Sequence, residues 1–137
     1  WAEQRLGPDR IEGAYAWRTL RRQRAHLVFS SDLPGSGWSP FSGLHSAISR
    51  QDTTGAPPGG WYPEQRMTPE EAVRGYSTWA AYAGFDEQEA GSIAVGKRAD
   101  FTVITVDPFR VAAPAELLSG AVQLTVSRGR VTYQRTP

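Results

Sequence analysis

The stretch HLVFSSDLPG, residues 26–35, decides how the rest of the chain is read. Leu27, Val28 and Phe29 are consecutive apolar residues between turn formers, and Asp32 stands at their exit with Pro34 and Gly35 just behind it. An unbroken apolar run of this length is the pattern of a strand covered on both faces, as in a parallel sheet. Asp32 is then either a turn residue or a carboxylate at the C-terminal end of a barrel strand, where α/β barrels place their catalytic groups. A carboxylate there can ligate a divalent metal or take a proton from metal-bound water. Spacing alone leaves both open.

Working outward, Pro8 suits a first helical turn, and Ile11, Tyr15 and Leu20 recur near helical spacing, which predicts a helix over 8–24. A second helix is predicted over 40–49, with Phe41, Leu44, Ala47 and Ile48 as its apolar stripe. Between 51 and 66 the chain is dense in Gly and Pro, yet too aromatic for a plain linker. Loops of this length are usually ordered over a site. Trp61 and Tyr62 read as anchors of that loop. The third helix is the clearest: Thr68 is an N-cap, Pro69 fits the first helical position, Glu71 completes a capping box, and Gly84 is the stop. Beyond it the pattern turns to strands, at 101–106, 122–126 and 131–133, the last two joined by the hairpin signal Ser127-Arg128-Gly129-Arg130. A single buried-type strand among helices, followed by three strands, is an odd order for a self-sufficient domain. The sequence is expected to be a fragment, and its opening WAEQRLG, without an initiator methionine or signal-peptide pattern, fits that expectation.

The bulk properties exclude several classes. Fifteen basic and 14 acidic residues leave a net charge of +1, too small for a polyanion-binding field, so no nucleic-acid partner is expected. The cluster Arg18, Arg21, Arg22 and Arg24 reads as a solvated helix face. With no cysteine there is no disulfide, thiolate metal site or cysteine nucleophile. No stretch approaches the roughly 20 apolar residues of a membrane span. The compartment stays open, with the cytoplasm favoured.

Two further patterns are weaker than they look. Residues 91–97, GSIAVGK, have the spacing of a phosphate-binding P-loop, but Arg98 stands where a Mg²⁺-ligating Ser or Thr belongs and a strand follows instead of a helix. A tight turn is the better reading. His26 and His45 are the only histidines, too few for a multi-histidine centre; His26 reads as structural and His45 as a surface residue of the second helix.

Taken together, RLGPDRIEGAYAWRTL, FSSDLP, SRQDTTGAPPGGWYPEQRMTPEEAVRGYSTWAAYA, GSIAVGKRADFTVITVDP and VSRGRVTY resemble the C-terminal third of the amidohydrolase 3, or YtcJ-like, metal-dependent hydrolases. The likeness runs in the family's order over nearly all of the chain. GGWYPEQRMTPEEA and GSIAVGKRADFTVITVDP are its most specific blocks.

The resemblance implies an α/β fold: the last part of a distorted (β/α)₈ TIM barrel over 1–88, and over 89–137 the C-terminal strands of a composite β-sandwich. It implies that 27–30 is barrel strand eight and that Asp32 is the family's strand-eight aspartate, a metal contact and proton shuttle for hydrolysis of amide or N-acyl C–N bonds. The implied cofactor is a divalent metal, zinc first, as one or two ions in the full-length enzyme. Trp38, on the loop beyond Asp32, is the candidate for lining a substrate pocket. The implied partners are a small-molecule substrate and the rest of the barrel from further segments of the same polypeptide, with a homo-oligomer left open. The family's metal-binding histidines have no counterpart here, and one carboxylate cannot hold a catalytic zinc, which needs about three protein ligands. The 137 residues alone are therefore expected to be inactive. Family members often carry a branched residue after the Asp-x-Pro, where this chain has Gly35. The rival reading is a non-catalytic fragment or interaction module.

Overall fold

The computed structural model describes residues 2–136. Short helices lead: α1 (Ala2–Leu6), a 3₁₀ turn (Ile11–Gly13), α2 (Trp17–Arg22), α3 (Pro40–Ser49), a 3₁₀ turn (Pro63–Gln65), α4 (Pro69–Gly75) and α5 (Thr78–Ala83). Then come β1 (Phe101–Ile104), a 3₁₀ stretch (Pro114–Ser119), β2 (Val122–Ser127) and β3 (Arg130–Gln134). The strands form one antiparallel sheet in the order β1-β2-β3. Arg128 (φ 50°) and Gly129 (φ 74°) make the tight turn between β2 and β3. Two positive φ values at the turn centre match the right-handed twist of the flanking strands, so the hairpin forms where its sequence signal lies.

Helix α3 spans the residues its apolar spacing predicts and buries Phe41, Leu44 and Ala47. Leu44, Ala47, Met67, Ala72, Trp79 and Leu117 form one buried cluster, against which Leu27, Phe29, Trp17 and Tyr76 pack. Leu117 carries the 3₁₀ stretch before β2 into the same core as α3.

The helix predicted over 8–24 is instead a 3₁₀ turn and the short α2. Tyr15 separates them at φ 50°, a left-handed conformation, with its ring set edge-on to Trp61 at 5.8 Å. A tertiary ring contact has overridden weak local periodicity. The third predicted helix also divides. Its start is as expected, with Thr68 and Glu71 forming both bonds of the capping box. It stops at Gly75 because the Gly75 carbonyl accepts the N–H of Phe29 at 3.1 Å, the bond that the N–H of residue 79 would otherwise make. The Ser77 hydroxyl donates to the Val73 carbonyl at 2.8 Å and completes the break.

That same bond bears on the predicted strand at 27–30. The segment is extended, but among the described residues it pairs with no strand. Leu27 and Phe29 turn inward, whereas Val28 is 46% exposed, so one face is covered and not both. Phe29 sits between Trp17 and Tyr76, with ring centroids at 5.6 and 5.7 Å.

Candidate active site

Asp32 follows this segment in an exposed turn and has φ 52°. Its N–H donates to the Ser30 hydroxyl oxygen at 3.1 Å, and its carbonyl accepts the N–H of Gly35 at 2.6 Å. The Ser36 hydroxyl donates to the Ser31 carbonyl, closing the turn a second time. These bonds fix the Asp32 backbone, and the residue is exposed.

Trp38 stands six residues further on and is 72% exposed. It borders a recess of about 470 Å³ that Phe41, Val122, Thr125, Tyr133 and Arg135 also line. Asp32 does not line this recess, so the two candidate residues share a loop without sharing a cavity.

The histidines diverge from their sequence readings in opposite ways. His45 is only 1% exposed and not a surface residue. Its Nε2 lies 3.0 Å from the Asp52 carbonyl, a contact that ties α3 to the Gly/Pro-rich loop, and 3.3 Å from the Ser49 hydroxyl within α3. The spacing of Leu44 and Ala47 places residue 45 at the edge of the buried stripe, and the loop folds over that edge. His26 is structural as expected: it stacks on Trp79 at 5.4 Å and meets Tyr82 edge-on at 4.9 Å.

The arginine cluster is only in part a solvated face, with Arg22 and Arg24 exposed and Arg18 and Arg21 half-buried. Arg18 and Arg21 both bind Glu71, and Arg21 also lies over the Trp79 ring at 4.2 Å. Partial burial pushes the Glu71 carboxyl up. The Arg18 hydrogen bonds, the Thr68 N–H, the Arg18 charge and the Arg21 bond outweigh that and lower its pKa from 4.5 to about 2. In 91–97 the Lys97 ammonium donates to the Glu87 and Ala90 carbonyls, and Arg98 pairs with Asp86 and Asp100. Both basic side chains are spent on holding the turn, as the tight-turn reading requires.

Sequence reasoning missed Arg50. It is buried, its guanidinium lies 4.3 Å from the Trp17 ring and 4.8 Å from the Trp61 ring, and its Nε donates to the Trp61 carbonyl at 2.9 Å. Burial lowers its pKa, and the Glu64 charge offsets part of that. Trp61 also donates its indole N–H to Glu3 and so anchors the loop as expected, and Tyr62 packs edge-on against it within the loop. A lone arginine after a helix carries no sequence signal for such a sandwich.

Among the described residues no three His, Asp or Glu side chains gather into a set able to hold a metal ion. Asp32 offers one suitable oxygen donor, but catalytic zinc takes about three protein ligands, so the residues present do not make a metal site by themselves. No helix among the described residues is long and apolar enough to cross a membrane.

The geometry defines a class: a small α/β chain that ends an extended, core-packed segment in an ordered loop bearing the exposed Asp32. Residues 1–133 match the model described as the amidohydrolase family, and the chain belongs to that family. It is 34% identical over 137 residues to YtcJ of Bacillus subtilis (strain 168), named as an amidohydrolase, covering 99% of this chain and 26% of that protein. It is 36% identical over 119 residues to the N-substituted formamide deformylase of Arthrobacter pascens, covering 87% of this chain and 21% of that protein. Protein LONG AFTER FAR-RED 3 of Arabidopsis thaliana is 28% identical over 108 residues, covering 76% of this chain and 18% of that protein. The chain thus spans about a quarter or less of the length of these curated relatives. No solved structure matches it.

Proposed function

We propose that the chain is the C-terminal part of a metal-dependent hydrolase of amide-type C–N bonds, with Asp32 as its proton-transferring carboxylate. The observation that carries this is the exposed position of Asp32, at the exit of a core-packed extended segment, in a chain of the amidohydrolase family. The name of the Arthrobacter pascens relative points to N-substituted formamides as the first substrates to try. On this reading 1–88 closes a barrel with further segments of the same polypeptide, and 89–137 completes a β-sandwich.

In the reaction, water oxygen adds to the carbonyl carbon, the C–N bond breaks, and an acid and an amine leave. Asp32 accepts a proton from the water and returns it to the departing nitrogen, so it ends as it began. A divalent ion would supply Lewis-acid activation of the water, with Asp32 as the one donor this chain offers to it and its remaining ligands from further segments. Trp38 contributes an apolar wall for the substrate, an aromatic on a loop being suited to that. The 137 residues alone are inactive on this reading.

Amine release from N-substituted formamides by the complete protein, with and without Asp32→Asn, tests the proposal. Turnover lost in Asp32→Asn with an unchanged melting temperature supports it; undiminished turnover overturns it. A second reading, a non-catalytic interaction module, draws on Phe85, Ile93 and Val95, which are 93%, 86% and 108% exposed. Apolar side chains so open suit a covering partner. A complete protein without turnover or bound divalent ion would favour that reading.

A further inference from the structure

We infer that the recess beside Arg50 is a binding site for a small zwitterion, an α-amino acid with an apolar side chain. The ligand's carboxylate meets the Arg50 guanidinium, and its ammonium meets Glu3 and Asp52. The recess holds about 440 Å³, within the range of small-molecule sites, and Tyr15, Trp17 and Trp61 form the apolar part of its wall. Arg50 also lines it, is 6% exposed, and lies against both tryptophan rings. Among the described residues, Nε alone of its guanidinium nitrogens has a hydrogen-bond partner, the Trp61 carbonyl, and Nη2 is buried without one. A buried N–H without a bond costs free energy that an entering acceptor recovers. The guanidinium fork matches a carboxylate, which takes two parallel N–H bonds.

The recess itself supplies no such acceptor. Glu3 and Asp52 line it, yet among the described residues neither forms an ion pair with Arg50, and Glu64 acts on Arg50 only as a nearby charge. Each of the two lining carboxylates has one oxygen in use. Glu3 Oε1 accepts the Trp61 indole N–H at 2.7 Å, and Asp52 Oδ1 accepts the Thr54 N–H, the Thr54 hydroxyl and the Ala56 N–H. One unsatisfied cation and two half-used anions around a single recess complement a molecule that carries both charges. A plain anion would be repelled by Glu3 and Asp52, and a plain amine by Arg50. The aromatic wall suits both an ammonium and an apolar side chain. The inference does not draw on Asp32.

Calorimetric titration of the complete protein with L-phenylalanine and D-phenylalanine tests this. Beside them are titrated 3-phenylpropionate, which lacks the ammonium, and 2-phenylethylamine, which lacks the carboxylate. At least one enantiomer is expected to bind about 10- to 100-fold more tightly than either half-molecule, the worth of one charge-assisted contact. Glu3→Gln keeps an acceptor for the Trp61 indole, and it should weaken phenylalanine and phenylethylamine while leaving phenylpropionate as it was. Arg50→Lys loses the fork and should weaken phenylalanine and phenylpropionate. Melting curves show whether that variant is folded, and if it is not, Glu3→Gln decides alone. No binding of either enantiomer overturns the inference. So does phenylalanine bound equally well by Glu3→Gln, which would place it elsewhere on the protein. Phenylpropionate bound as tightly as phenylalanine overturns it too, since the recess would then be a plain anion site.

Discussion

The Glu71 carboxylate takes hydrogen bonds from both Nη atoms of Arg18, at 2.9 and 2.7 Å, across 53 positions of sequence. Arg18 lies on α2 and Glu71 in the first turn of α4. The same carboxylate accepts the Thr68 N–H at 2.9 Å, so a helix cap and a long-range ion pair share one group. Both partners are largely covered, with side-chain exposures of 23% and 17%. A bidentate pair so shielded stabilises more than an exposed one.

Glu71→Gln keeps the shape and removes the charge. It should lower stability by about 1–3 kcal/mol, the range for charge-assisted bonds at a part-buried site. Urea unfolding measures the difference, and a loss below a few tenths of a kcal/mol would show that Arg18 and Arg21 are satisfied elsewhere.

The same pair predicts a pH dependence. Folding lowers the Glu71 pKa from 4.5 to about 2, so the unfolded chain binds the proton more readily between those values. The stabilisation is therefore complete above about pH 5, declines as pH falls through 4.5, and is gone near pH 2. Asp100, lowered by the Arg128 N–H, and Asp52, lowered by the Thr54 hydroxyl, act in the same sense. Melting curves of the protein and Glu71→Gln should converge on acidification, and a constant gap would contradict the linkage.

Gly75 packs where the extended segment crosses α4. A Cβ there would lie 2.5 Å from Phe29 Cδ2 and 3.0 Å from the Leu27 carbonyl oxygen. Gly75→Ala should therefore destabilise by about 1–3 kcal/mol despite alanine's better helix propensity, since overcrowding outweighs it. Thermal melting beside Gly37→Ala separates this crowding from a general glycine effect.

Arg50 tests the aromatic sandwich. Arg50→Lys retains a cation but loses the planar group that lies against Trp17 and Trp61 and the Nε bond to the Trp61 carbonyl. A loss of about 1–2 kcal/mol is expected, combining a desolvated cation–π contact with a hydrogen bond. Tryptophan fluorescence should report a more exposed Trp61, and an unchanged spectrum with unchanged stability would argue against the sandwich.

Local signals were legible in the sequence wherever neighbouring residues supply the physics. The Thr68–Glu71 capping box, the Pro40 start and apolar stripe of α3, and the Arg128-Gly129 hairpin each need only a few adjacent residues, and each forms where it is read. Asp32 was legible as a loop carboxylate, and its kinship with a family was legible in order and motif. Only the tertiary structure decided the rest. Phe29 claims the Gly75 carbonyl and ends α4, Trp61 draws Tyr15 out of a helix, Asp52 folds over His45, and Glu71 gathers Arg18 and Arg21. These contacts join groups far apart in the chain or depend on atoms not yet placed, and periodicity and propensity carry no information about either.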